Sequence, residues 1–345
     1  MKFKKLYISL VLMGSLLAAC KNDEVSYPDF PYQTVYFANQ FPVRTIVLGE
    51  DLVVDNSLDN LNRVSINATT GGVYENKKNV SIDVKVDESL LTNLHFSGGS
   101  KIAAMPSQFY ELMSNQITIP AGSSMGGVQV QLTNAFFADP LSLMRNYVIP
   151  LVMTKVSGAD TILKGTPLVS GANPSRLNHD AWSVRPKDYV LYAVKFVNPW
   201  HGNYLRRGVD QVTPTTGAVS TSRRRKAFEE ENEVVSITTT SLKTVTLPLV
   251  TKNTAGTNVP YTLVLTFDNN GACTVTGNNA SFDITGTGKF VSKGEKNSIG
   301  GKDRSALYLD YSVNFKAQNM KYDTKDTLVV RDRNIKPEYF DVVIK

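Results

Sequence analysis

Cysteine, histidine and tryptophan are scarce in this 345-residue chain, with two, three and two residues. Two cysteines, Cys20 and Cys273, permit at most one disulfide, so covalent cross-links cannot carry the fold. The histidines His95, His179 and His201 stand far apart, and no pair has metal-ligand spacing. Cys-x-x-Cys, His-Glu-x-x-His, P-loop and Gly-x-Ser-x-Gly patterns are all missing. Glycine-rich stretches do not join a strand to a helix N-terminus, which argues against a phosphate cradle. No catalytic residue, no metal ligand and no cofactor is therefore assigned. Paired carboxylates distant in the chain stay open, because such pairs need not be close in sequence. The formal net charge is +6, but Lys2, Lys4 and Lys5 supply three of those charges inside a leader that carries no acid. Without it the balance is 6 − 3 = +3, too small to point to nucleic acid.

What is present begins at the N-terminus. Lys2, Lys4 and Lys5 precede an apolar stretch, Leu6 to Leu17, of signal-peptide length. It is shorter than the roughly 20 apolar residues a spanning helix needs. Leu17-Ala18-Ala19-Cys20 follows. This resembles the lipobox of bacterial lipoproteins, which implies cleavage after residue 19 and acylation of Cys20. Buried acyl methylenes contribute about 0.8 kcal/mol each, so two or more chains anchor stably. The charged run Lys21-Asn22-Asp23-Glu24 resembles the surface-export signal of Bacteroidetes lipoproteins. Residues 20–31, with Pro28 and Pro31, read as a tether. Cys273 then has no intrachain partner and reads as a small buried hydrophobe.

The dominant pattern downstream is alternation of period two. Val80, Ile82, Val84 and Val86 alternate with polar residues, as do Val128, Val130 and Leu132. Leu263, Leu265 and Phe267 share one face of a segment, and Leu307, Leu309, Tyr311, Val313 and Phe315 share one face of a longer one. Asn269-Asn270-Gly271, Gly300-Gly301 and similar turn signals separate such segments. The fold class expected is all-β: an Ig-like N-terminal β-sandwich over residues 32–155, a broken linker over 156–188, and a second antiparallel domain over 189–345. The second domain opens with Tyr189 to Val197, and about eight strands suggest a barrel or barrel-like sandwich. Arg223-Arg224-Arg225-Lys226 followed by Glu229-Glu230-Glu231 reads as a self-neutralising exposed loop, with an anionic-ligand site as the alternative.

Several segments, taken in order, resemble a family of Bacteroidetes surface lipoproteins encoded in polysaccharide-utilisation loci. They include Val35-Tyr36-Phe37, Ile117 to Gly122, Tyr147-Val148-Ile149-Pro150-Leu151, Leu191 to Gly208 with Asn198-Pro199-Trp200-His201-Gly202-Asn203-Tyr204 at its centre, and Asp326 to Arg333. The resemblance implies an N-terminal β-sandwich and a starch-utilisation-type accessory role. Its partners would be a glycan, an outer-membrane transporter complex that receives the glycan, and the outer membrane through the lipid anchor, with the protein exposed on the cell surface. No (β/α)8 catalytic module follows, so hydrolysis is not expected. A structural or adhesive surface protein, such as a fimbrial subunit, is the competing class. A glycan site wants exposed aromatic rings with polar neighbours. That singles out Trp182, Trp200, His201 and Tyr204, with Gly202 allowing a tight turn or close backbone approach. The competing expectation is that these aromatics plug the end of a barrel.

Overall fold

In a computed structural model, which describes residues 28–345, strands make up 53% and helices 10% of the chain. The all-β expectation holds. Cys20, the leader and most of the tether lie outside the described residues.

Two sheets form the N-terminal sandwich. One runs Thr161–Ile162, Thr34–Tyr36, Arg63–Gly71, Met125–Leu132, Tyr110–Leu112; the other runs Glu338–Tyr339, Pro42–Val47, Tyr189–Val197, Tyr147–Ser157, Val80–Val86, Gln116–Ile119. The alternating residues face each other across the sandwich: Ile66, Val128 and Val130 from one sheet meet Ile82, Ile149 and Leu151 from the other, all buried.

The strand Tyr189–Val197 does not open the second domain. It lies at the centre of the second sheet, antiparallel to Tyr147–Val152 and parallel to Val43–Val47. Its two faces are both covered: Val190, Tyr192, Val194 and Phe196 enter the sandwich core, while Tyr189, Leu191 and Ala193 pack against Leu94, Phe96 and Phe340. A strand buried on both faces has no reason to alternate, so its sequence carries no mark of the layer it joins. Phe340 comes from the C-terminal tail. That tail returns to the sandwich, pairing Glu338–Tyr339 with Pro42–Val43 and Val342–Ile344 with Leu94–Phe96. The sandwich therefore includes both the strand expected beyond the linker and the last residues of the chain.

The second domain is an eight-stranded closed barrel. Its long first strand, Gly202–Pro214, pairs with the last, Met320–Asp332, through a register running from Asn203↔Asp332 to Pro214↔Met320. Closure removes the free edges that an open sheet would expose. The interior is filled: Leu247, Leu263, Leu265, Leu307, Val313, Phe315 and Leu328 are buried there. Cys273 joins them, and burial pushes its thiol up to about 12. It is therefore protonated and unreactive near neutrality.

Candidate functional site

Asn198, Pro199 and Trp200 carry the chain from sandwich to barrel. Asn198 donates through Nδ2 to the carbonyls of Ser241 and Thr244, at 3.0 and 3.1 Å, and accepts from Trp200 N–H at 3.2 Å. Trp200 is buried and stacks on Phe267 with ring centroids 3.9 Å apart and planes at 7°. Tyr204 is buried beside it and donates its hydroxyl to the Trp200 carbonyl at 2.8 Å. Both aromatics close the barrel end, and neither presents a ring face to a sugar. Gly202 does serve a close backbone approach: its φ is +148°, and a Cβ there would sit 2.4 Å from the Asp332 carbonyl. His201 is half-buried. Its Nδ1 accepts from Thr239 N–H at 3.2 Å, which puts the ring proton on Nε2. Burial, with Arg333 and Lys195 nearby, depresses its pKa to about 4, so the ring is neutral at physiological pH. Trp182 stands apart from the other three. It lies in a short strand paired with Thr166–Pro167, half-buried, with its Nε1–H on the Ser175 carbonyl. The four residues do not form one site.

The charge run also departs from expectation. Ser220–Arg224 is a strand paired with Gly208–Val212. Arg224 turns inward, donating to both carboxylate oxygens of Asp210 and, at 2.7 Å, to Asp326. Asp326 also accepts from Arg206 at 2.9 Å and from the Tyr311 hydroxyl at 3.0 Å. Glu229 instead pairs with Arg207, which holds Glu295 as well. Arg224 and Glu229 thus pair with other residues and not with each other, while Arg223, Arg225, Lys226, Glu230 and Glu231 stay exposed.

A cleft of about 700 Å³ opens between sandwich and barrel. One wall comes from the strand Pro42–Val47 and the loop after it, the other from Asn203, Asp332 and the returning segment 333–337. The loop is tightly built. Asp59 accepts from Val47 N–H and pairs with Arg44, and Asn56 donates to the carbonyls of Val47 and Gly49. Asp51 accepts from the N–H groups of Val53 and Val54. This turn presents the two valines to solvent at 88% and 63% exposure. Opposite them, Asn203 donates to Asp332 at 2.8 Å, and Asp332 also accepts from Asn334 N–H. The cleft thus combines an aliphatic strip with carboxylates, carboxamides and the Arg44 guanidinium, groups able to bind paired hydroxyls.

Arg333 forms the back of the cleft. Its buried guanidinium donates to four carbonyls: Leu48 and Glu50 of the sandwich loop at 2.9 and 2.8 Å, and His201 and Asn198 at the barrel entrance at 2.9 and 2.8 Å. Burial works against its charge, and no carboxylate bonds to it among the described residues. Neither the cleft nor this clamp has a mark in the sequence pattern, because the groups that Arg333 joins lie far from it in the chain.

Comparison with known proteins places the chain. A model of a domain of unknown function (DUF5627) matches residues 199–334, the barrel, and a model of an N-terminal domain matches residues 30–160. A Bacteroides ovatus protein of unknown function, solved by crystallography, is 52% identical; the match covers 92% of this chain and 100% of that one with a TM-score of 0.83. The chain belongs to the same family as that protein. Two further crystal structures align at lower similarity. A multidomain protein including DUF1735 from Bacteroides ovatus is 11% identical, with 90% of this chain and 99% of that one covered and a TM-score of 0.39. An auxiliary nutrient binding protein from Bacteroides thetaiotaomicron is 14% identical, with 84% and 90% covered and a TM-score of 0.34. Neither bears on function at that similarity. No curated protein matches the chain.

Proposed function

We propose that this protein is a cell-surface glycan-binding lipoprotein, acylated on Cys20, that takes oligosaccharide into the cleft between sandwich and barrel and passes it to an outer-membrane transporter complex. The observation that carries the reading is the cleft itself. It sets exposed Val53 and Val54 opposite Asn203 and Asp332, with Arg44 and Lys336 among its other lining residues. Sugar rings offer apolar C–H faces and a rim of hydroxyls, and this cleft meets both. The resemblance to polysaccharide-utilisation lipoproteins and the family shared with a Bacteroides protein support the same class.

Affinity electrophoresis against a panel of polysaccharides tests the reading. Val54→Ser and Lys336→Ala should each weaken retention on the bound glycan by about 1 kcal/mol or more while leaving the melting temperature unchanged. Trp182→Ala should bind like wild type. Retention that survives both cleft changes, or that is lost in Trp182→Ala alone, would move the site away from the cleft. Labelling with a palmitate analogue should mark wild type and leave Cys20→Ala unmarked; equal labelling would remove the anchor from the proposal.

A further inference from the structure

The pole of the sandwich where the described chain begins exposes three aromatic rings: Phe30 at 67%, Tyr32 at 53% and Tyr74 at 71%. They belong to two segments that are bonded together. Asp29 accepts from the N–H groups of both Phe30 and Tyr74, at 3.0 and 2.9 Å. Gly72, at φ +95°, lies so close to the Tyr32 carbonyl that a Cβ would sit 2.5 Å from it. The adjoining Gln33 is fixed in turn: its N–H donates to Asp160, and its amide donates to Thr70 and Asn76. The rings therefore project from a firmly held surface. Beside them Lys77 and Lys78 are exposed, and the exposed acids of the same pole are Asp29, Glu75 and Asp160, the first and last of which accept backbone N–H groups.

The position of this patch carries the argument. The strand Arg63–Gly71 runs from the loop that walls the cleft to the aromatic pole. Its nine residues span about 26 Å, eight rises of roughly 3.3 Å. The neighbouring sheet has the same polarity. Ser157 pairs with Ser81 near the aromatic pole, Tyr147 pairs with Val194 further along, and the barrel follows Val197. The patch and the barrel thus occupy opposite ends of the sandwich. Cys20 precedes Phe30 by ten residues. Ten residues of any conformation reach at most about 35 Å.

Resting on the reading that Cys20 is acylated, we infer that Phe30, Tyr32 and Tyr74, with Lys77 and Lys78, form a foot that seats on the lipid headgroup layer and turns the cleft and barrel away from the membrane. Aromatic rings, tyrosine above all, suit the headgroup depth, where one edge is apolar and the other wet. Lysines at a membrane surface are drawn to anionic headgroups. A patch held within a short leash of the acyl chains samples that layer continually.

The test uses the full acylated chain on vesicles of equal parts phosphatidylcholine and phosphatidylglycerol. Tyr74→Cys and, as a distal control, Val250→Cys on the barrel are labelled with a solvent-sensitive dye; buried Cys273 stays unlabelled in the folded protein. The expected result is flotation of the protein with vesicles, with iodide quenching lost at position 74 and unchanged at 250. Flotation with position 74 still fully quenched would overturn the foot and leave the anchor standing. No flotation would overturn the anchor and the foot together. Protection of position 74 by oligosaccharide without vesicles would make the patch a glycan subsite and overturn its membrane role.

Discussion

Trp200 and Tyr204 show how one residue type can answer two descriptions. An aromatic beside a glycine after a strand suits a sugar platform, and it also suits a plug for a barrel end. Here packing decides: Trp200 lies flat on Phe267 and Tyr204 hangs from the Trp200 carbonyl. Trp200→Ala should cost about 3–5 kcal/mol, the usual range for a buried tryptophan, measured as a lowered denaturation midpoint. A near-neutral change would mean that the barrel end is loosely packed. His201 supplies a pH dependence. The unfolded ring takes up a proton near pH 6.5, while the folded ring does so only near 4. As pH falls from 6.5 towards 4, unfolding binds the extra proton and stability is lost, by about 3 kcal/mol in all. Below that window the loss levels off, and above it the contribution is absent. Denaturation of wild type and His201→Gln at pH 7 and pH 4.5 should show a smaller acid loss in the variant; parallel losses would assign the effect to other groups.

Strands that bury one face could be read directly. Val80, Ile82, Leu263, Leu265, Leu307, Val313 and Phe315 all lie buried as their alternation requires. The strand Tyr189–Val197 could be recognised but not placed, because neither face meets water. The pairing that surrounds it, parallel on one side and antiparallel on the other, is a long-range property. The polar layer inside the barrel was equally hidden. Arg206, Gly208 and Asp210 alternate along Gly202–Pro214, yet Arg206 and Asp210 are charged where a core position should be apolar. Their partner Asp326 sits on the closing strand, and Gly208 makes room for it, since a Cβ there would lie 2.2 Å from its carboxylate. Asp326 is buried between Arg206 and Arg224. Asp326→Asn removes the charge that balances two guanidinium groups and should destabilise by about 3–5 kcal/mol, whereas Arg206→Met combined with Asp326→Leu should cost less. Chemical denaturation of the three variants checks the order. A double variant less stable than Asp326→Asn would show that the network contributes more than its own desolvation costs.

The cleft exists only because two domains hold a fixed relation, and Arg333 is the residue that fixes it. The domains are joined by Val197–Asn198 and by the return through residues 334–337. Two such crossings alone would allow the pair to rock, as linked domains do by default. The guanidinium prevents this by donating to Leu48 and Glu50 on one side and to Asn198 and His201 on the other. That one group satisfies four carbonyls, the Asn198 one buried and the other three partly buried; a buried carbonyl left unpaired costs about 1–3 kcal/mol, a partly buried one less. Contacts from Gly49 to Pro199, and from Ser305 to Glu50 at 3.1 Å, complete the seam. Wild type should therefore melt in one calorimetric transition. In Arg333→Met the seam should open first, splitting the trace into two transitions as sandwich and barrel unfold separately. Glycan retention should fall in the same variant, although Arg333 lies behind the groups proposed to touch the sugar, because Val53 and Asp332 would no longer face each other at a fixed width. If wild type already melted in two steps, or if Arg333→Met melted as one unit with undiminished retention, the clamp would be incidental and the cleft would owe its shape to the chain crossings alone.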